Sequence, residues 1–478
     1  GNGLPPLLPR LPNEGQHPRA KIGVSGADRL GELEQGGRPR PPPGPTRPKC
    51  VARELNSITP GAHLWPVADT VVRVSNTAGD RSAPDTSGGP ILSPRRVGDV
   101  NRSRVLQTLV DRGPLSRADL SRFANVTRAT IGNIVQSLID SGVLEEQEQS
   151  PPAGRIGKPA RPLWFARKAA LSAVVSFEEH GCTAALVDAT GLVLDAHFTD
   201  YPGDLPSAVD LRASVKRVLD PVFSGAGGAA LLGVGVAVPA MCLASGEIVA
   251  SSVLPSLAGH WLSAFLGETY SLPVVIDTDS RAQALAEKWF GQGRGLRVFA
   301  AVRVSEGVGV GVVLNGTVFR ADQGIGGEFG HTVVELRDGL PCACGSFGCW
   351  QTVAGTGWIR REAQRRRLRG AATLNCVQLV TRAAGDSIAA TLLTDYADNI
   401  AVGLSNLMHV YHPSLIILNG EVLGGGEPLR EAVERALRHR VVDVVRGDVR
   451  VVMSELDAQA SLQGAAALVL SSRFQLAV

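Results

Sequence analysis

The chain has 478 residues, 44% of them hydrophobic, and a formal net charge of +3; its mean hydropathy is +0.08. That length is too great for one ordinary core and leaves room for two or three domains, while no apolar run approaches the roughly 18 residues of a membrane-spanning helix. Charge is uneven: residues 1–95 hold 12 Lys/Arg against 8 Asp/Glu, residues 96–168 hold 12 against 7, and residues 169–478 hold 24 against 30.

A basic module on an acidic body is the balance of a nucleic-acid binder with a separate sensing domain, although a solvated basic face gives the same count. Residues 1–95 are rich in Pro, Gly and Arg, with Arg38-Pro-Arg-Pro-Pro-Pro-Gly-Pro-Thr-Arg-Pro48 as the extreme. Such a segment buries too little apolar surface to offset its ordering entropy, so disorder is expected there. No continuous apolar stretch marks a secretion signal, and a cytoplasmic protein is expected.

Helical periodicity begins near Val97, with Val100, Val105, Leu106, Leu109 and Val110 on one face. Gly113-Pro114 breaks it, and Ser116 is placed to cap a short helix over Arg117–Phe123. Thr127 caps the next, Arg128–Ser141, whose apolar face is Ile131, Ile134, Val135, Leu138 and Ile139; Gly142 ends it. A strand from Val143, a basic turn over Pro151–Pro162 and a return strand Leu163-Trp164-Phe165 follow. Residues 169–478 then alternate strands (Leu171–Val175, Ala184–Val187, Leu232–Val238, Val274–Ile276) with helices, which predicts an α/β body. A final helix around Gln463–Leu468 is expected to pack back on the first part of that body.

Within the body, His331, Cys342, Cys344 and Cys349 fall inside nineteen residues. Cys3His is a standard tetrahedral zinc set, and Gly345 and Gly348 permit the turns that bring three sulfurs to one ion. The other four cysteines, Cys50, Cys182, Cys242 and Cys376, are scattered and suggest no disulfide framework.

Gly327-Glu328-Phe329-Gly330-His331 followed by Cys342-Ala-Cys344-Gly-Ser-Phe-Gly-Cys349 resembles the signature of the ROK family of repressors, open reading frames and sugar kinases. The resemblance runs from about Leu171 to the C-terminus. It takes in Val274-Val-Ile-Asp277-Thr278-Asp279-Ser280, Gly307-Val-Gly-Val-Gly311 and Pro413-Ser-Leu-Ile-Ile-Leu-Asn-Gly420. It implies an actin-like (ribonuclease H-like) fold of two lobes with a ligand cleft between them.

The order of three helices and a basic-tipped hairpin resembles the winged helix-turn-helix of ROK repressors. It implies domains 1–95 (disordered), 96–168 (DNA-binding) and 169–478 (sensing). Thr127, Arg128, Thr130 and Asn133 are then placed at the base edges of a major groove, with Arg128 suited to guanine and Asn133 to adenine. Arg155, Lys158 and Arg161 on the wing suit phosphates or the minor groove. A winged helix that binds protein instead is the alternative.

Sugar kinases of the family need a sugar-holding set with an aspartate base and a glycine-rich phosphate turn. On the sugar side, the resemblance places Thr278, Asp279, Glu328, His331 and Gln351 against the ligand, with Asp279 at the catalytic position. Thr278 stands where the family has Asn, and Gln351 where it has Glu. On the phosphate side, Ser176-Phe177-Glu178-Glu179-His180 replaces the kinases' Asp-x-Gly-Gly-Thr; the second phosphate loop retains Gly307, Gly309 and Gly311, but Glu306 stands where many kinases have a hydroxyl.

Two carboxylates facing a triphosphate repel it. The reading is a transcriptional regulator, a repressor without catalytic residues, binding a double-stranded DNA operator as a homodimer or homotetramer. It responds to a sugar or sugar derivative, holds zinc, and couples the two domains through the linker near Arg167–Ala170. The alternatives are a carbohydrate kinase and a regulator that senses a protein.

Overall fold

Capping chemistry sets the first helices. The computed structural model describes residues 94–147, 161–167 and 170–476, and its chain begins with α1 (Pro94–Arg112), α2 (Arg117–Ala124) and α3 (Arg128–Asp140). Pro94 and Arg95, expected in the disordered segment, already belong to α1; the rest of that segment lies outside the described residues. Ser116 accepts from Asp119 N at 3.2 Å and Thr127 from Thr130 N at 3.2 Å, each satisfying an orphan first-turn donor. After α3, Gly142 takes φ +73°, and Val143 N donates to Leu138 O at 2.8 Å in the left-handed stop expected of a glycine there. Strands β1 (Leu144–Glu146) and β2 (Leu163–Phe165) pair antiparallel.

The body is one strand plan used twice. In the first lobe, β3 (Leu171–Phe177), β4 (Gly181–Val187), β5 (Val193–Asp200), β6 (Leu231–Val238) and β9 (Val274–Thr278) form a sheet ordered β5-β4-β3-β6-β9. The first three make an antiparallel meander, and β6 and β9 extend it in parallel. Between them lie α4 (Ala208–Gly225), the short ribbon β7 (Met241–Cys242) and β8 (Ile248–Ala250), and α5 (Trp261–Tyr270).

After α6 (Asp279–Trp289) the second lobe repeats the plan with β10 (Phe299–Val304), β11 (Val308–Leu314), β12 (Thr317–Val318), β13 (Ile416–Asn419) and β14 (Val451–Met453), ordered β12-β11-β10-β13-β14. Helices α7 (Trp350–Ala354), α8 (Thr356–Arg365), α9 (Cys376–Ala383), α10 (Ser387–Tyr411) and α11 (Gly426–Arg440) cover it. The last helix, α12 (Ala460–Phe474), returns to the first lobe and packs on β3, β6 and β9, as expected.

Helix α6 decides the architecture, because it packs on both sheets and on α12. Nine of its residues, Arg281 to Trp289, are buried, so it has no solvent face to fill with charge. Gly311 permits the approach: a Cβ there would sit 2.3 Å from Ser280 O and 2.5 Å from Ala284 Cβ. One apolar core runs without interruption from Leu106, Ile131 and Leu163 of the helical unit through Trp289 to Ala466 of α12. Phe165 meets Trp289 at 5.3 Å and Phe474 at 6.0 Å between ring centroids. Among the described residues no helix is long and apolar enough to cross a membrane.

Candidate functional site

The turn from β9 into α6 carries Thr278 and Asp279 to the mouth of the cleft. Thr278 caps α6, its hydroxyl accepting from Arg281 N at 3.2 Å, so part of its hydrogen-bonding capacity is already used locally. Beneath it Asp277 takes two arginines: Arg281 Nε donates to Oδ1 at 2.6 Å and Arg320 Nη2 to Oδ2 at 2.6 Å. Arg281 also donates to the carbonyls of Gly324 and Cys242. This buried set ties α6 to the loop that leads to Glu328.

Thr278, Asp279, Glu328, His331 and Gln351 all line one cavity of about 400 Å³. The five expected ligand contacts therefore converge. Burial pushes the carboxyls of Asp279 and Glu328 above the ordinary range; Arg303 draws Asp279 back down, and Arg281 does so for Glu328. Arg303, not anticipated from the sequence, sits with Nη1 3.6 Å from Asp279 Oδ2.

Asp279 and Arg303 also line a second cavity, about 380 Å³, on the other side of that ion pair. Glu178, Glu421 and Asp457 face it as well. Glu179, expected beside Glu178, is not among its lining residues. Glu306 is likewise elsewhere, held by Arg360 and accepting from Thr356 Oγ1 at 3.2 Å. Gly309 and Gly311, expected at a phosphate loop, lie against Ser280 of α6, and Gly309 also lines the first cavity.

The His331, Cys342, Cys344 and Cys349 ligand atoms lie within 4.8 Å of one another. A tetrahedral zinc site with ordinary bond lengths has S–S edges of about 3.8 Å and N–S edges of about 3.5 Å. Here Cys344 Sγ is 3.7 Å from Cys349 Sγ, and Cys342 Sγ is 3.5 Å from His331 Nδ1. The donor set and spacing fit such an ion. Gly348, at φ +70°, makes the turn; a Cβ there would meet Glu335 O at 2.0 Å. Burial lowers the His331 pKa and so favours the neutral ring that a metal takes. Gln351 Nε2 donates to Cys342 Sγ at 3.2 Å, so the cluster and the first cavity share residues.

In the helical unit, Thr127, Arg128 and Asn133 are exposed at the start of α3, and Thr130 is half-buried. The Thr127 and Thr130 hydroxyls are 2.9 Å apart and engage each other in the cap, which leaves Arg128 and Asn133 as the outward polar groups. Arg161 is anchored at the base of the hairpin by Glu146 at 3.3 Å, a carboxylate shared with Arg117 at 3.0 Å; it is not at a free tip. Arg155 and Lys158 lie outside the described residues, as do two of the four residues of the Arg167–Ala170 linker. A direct contact between unit and body does exist. Lys288, 2% exposed at the end of α6, lies 3.2 Å from Asp111 of α1 and donates to Gly316 O.

The ROK family profile matches residues 179–472. The xylose repressor of Bacillus subtilis (strain 168) is 23% identical over 78% of this chain and 96% of its own length. The DNA-binding transcriptional dual regulator NagC of Escherichia coli (strain K12) is 26% identical over 78% and 93%. Among solved structures, a ROK family transcriptional regulator described as a homolog of the E. coli MLC protein superposes with TM-score 0.66 at 25% identity, covering 80% of this chain and 98% of its own. A ROK hexokinase from Thermus thermophilus gives 0.54 at 26% identity, covering 63% and 98%.

Proposed function

This chain belongs to the ROK family, and from that premise we propose that it is a DNA-binding transcriptional repressor whose operator affinity is set by a sugar or sugar derivative. The carrying observation is the division of the cleft at Asp279. On one side the five residues expected against a sugar line one cavity, two of them departing from the family's Asn and Glu; on the other, Glu178, Asp279, Glu421 and Asp457 line the space a nucleotide needs. One carboxylate 4 Å from a phosphate charge costs about 4 kcal/mol at an effective dielectric of 20. Phosphoryl transfer is therefore not the task of this cleft. Coverage agrees: the hexokinase, matched along nearly its whole length, spans 63% of this chain, whereas the regulators span 78–80%.

Residues 96–168 bind DNA and residues 169–478 sense the effector. Arg128 and Asn133 read bases in the major groove; Arg155 and Lys158 supply sequence-independent attraction to phosphates. Two half-sites require at least a dimer. Zinc at His331, Cys342, Cys344 and Cys349 pins the loop that presents His331 and Gln351 to the effector. Coupling runs through α6. Its first residue, Asp279, meets the effector, and its last turn, Lys288 and Trp289, holds the helical unit by an ion pair and a ring contact. A shift of this rigid helix when the lobes close moves the reading heads directly, without reliance on the linker. The operator shift equals the effector's preference for one lobe arrangement, typically about 1–3 kcal/mol.

The test is selection of genomic fragments on the purified full chain, followed by release with a panel that starts from xylose, named in the Bacillus subtilis relative, and N-acetylglucosamine, named in the N-acetylglucosamine repressor of Shigella flexneri (26% identical), and their phosphates. Recovery of one palindromic sequence, released by one panel member, supports the proposal; retention independent of sequence and sugar refutes it.

A further inference from the structure

The second cavity is more than a disabled nucleotide site. Its floor is Asn419, at the end of β13 and 1% exposed, with neither Oδ1 nor Nδ2 hydrogen-bonded. Beside it Gln283 of α6, 5% exposed, spends Nε2 on Ser461 Oγ at 2.9 Å and leaves Oε1 without a partner. Buried amides of native proteins are normally satisfied, and an unpaired one carries a desolvation cost that an occupant can remove. At the rim stand Glu178 from the first lobe, Glu421 from the second and Asp457 ahead of α12. Among the described residues the one cationic lining residue, Arg303, already faces Asp279.

We propose that this cavity is a second effector site, distinct from the sugar cavity, and that it takes a small polyhydroxylated amine. The chemistry of the lining makes the choice. Two amide oxygens and the rim carboxylates accept, so the occupant must be rich in donors and positively charged. A bare or hydrated metal ion satisfies the oxygens but leaves Asn419 Nδ2 pointing at a cation, whereas a hydroxyl accepts from it. Nucleotides and sugar phosphates meet carboxylates on both sides. The volume, about 380 Å³, holds a monosaccharide-sized molecule. Because Glu178 and Glu421 belong to opposite lobes and both line this cavity, an ammonium group between them favours closure, the same movement that the sugar drives. The proposal rests on the cavity and does not depend on DNA binding.

Calorimetry on the full chain tests it, with glucosamine as the probe and glucose, magnesium chloride and ATP as separate arms. Glucosamine is expected to bind at least about tenfold more tightly than glucose, because charge-assisted contacts replace neutral ones. Glu421→Gln, an exposed change that leaves packing intact, should weaken glucosamine by about tenfold, the loss of one charge-assisted contact. Asn419→Leu should weaken it at least as much. Absence of a glucosamine signal overturns the proposal, as does equal binding in wild type and Glu421→Gln, which places the amine in the sugar cavity. ATP binding as tight as glucosamine, or magnesium binding abolished by Glu421→Gln while glucosamine binding persists, also overturns it.

Discussion

Removing the charge of Asp111 should loosen the helical unit from the body more than its partly exposed position suggests. Lys288 is 2% exposed and Asp111 42%, with the charged atoms 3.2 Å apart. At an effective dielectric of 20 that separation is worth about 5 kcal/mol of attraction before desolvation. Breaking a fully buried pair from one side costs about 3–5 kcal/mol, because a charge is left stranded. Asp111 retains solvent, so Asp111→Asn should cost less, about 1–3 kcal/mol. Lys288→Met removes the stranded charge itself and leaves Asp111 solvated, so it should cost less than Asp111→Asn. Thermal unfolding of both variants and the double variant gives the order. Operator titrations with and without effector give the coupling, which should fall toward no response in both variants while DNA affinity persists. Refutation takes one of two forms: Lys288→Met costing more than Asp111→Asn, or both variants keeping the full effector response.

Cys344 is exposed, so Cys344→Ser should lose bound metal and weaken effector binding without a packing defect; one zinc per chain by elemental analysis of that variant contradicts the ligand set. Arg128→Ala should cost about 1–3 kcal/mol and relax preference at one base pair per half-site, whereas Lys158→Ala should weaken all sequences alike; unchanged base preference in Arg128→Ala excludes α3 as the reader. Burial raises Asp279 and Glu328 above the ordinary carboxylate range, and their ionised forms accept from sugar hydroxyls. Effector affinity should therefore fall as pH drops through the raised values, at milder acidity than for free carboxylates. Stability of the effector-free chain should change the other way, rising through that window, because the folded form holds these protons more tightly than the unfolded chain. Parallel movement of the two profiles contradicts the assignment.

Local signals were legible where local chemistry decides the outcome. Ser116, Thr127 and Gly142 announced the ends of α2 and α3, and the His331–Cys349 spacing announced a cluster that does converge. Part of what was missed has one physical origin, the double-sided burial of α6. Arg281, Gln283, Glu287 and Lys288 would ordinarily mark solvent-facing helix positions, yet all four are buried and answered by partners distant in sequence. Gly309 and Gly311 also make room for Ser280 and Ala284, which only the path of α6 shows. Arg303 had a faint signal, a lone charge in Phe299-Ala-Ala-Val-Arg-Val304, but nothing nearby in sequence named Asp279 as its partner. The same holds for Asn419, whose unpaired amide is visible only once the two lobes face each other.

The central claim is that the cleft binds a sugar and moves DNA affinity without transferring phosphate. One measurement addresses it directly: operator affinity of the full chain by fluorescence anisotropy, with the releasing sugar and ATP both present, while ADP release is followed in the same sample. The expected result is a sugar-dependent change in operator affinity that is abolished in Asp279→Ala, with ADP release at background throughout. Sugar-dependent ADP release that requires Asp279, with operator affinity unmoved, contradicts the account and makes the chain a kinase.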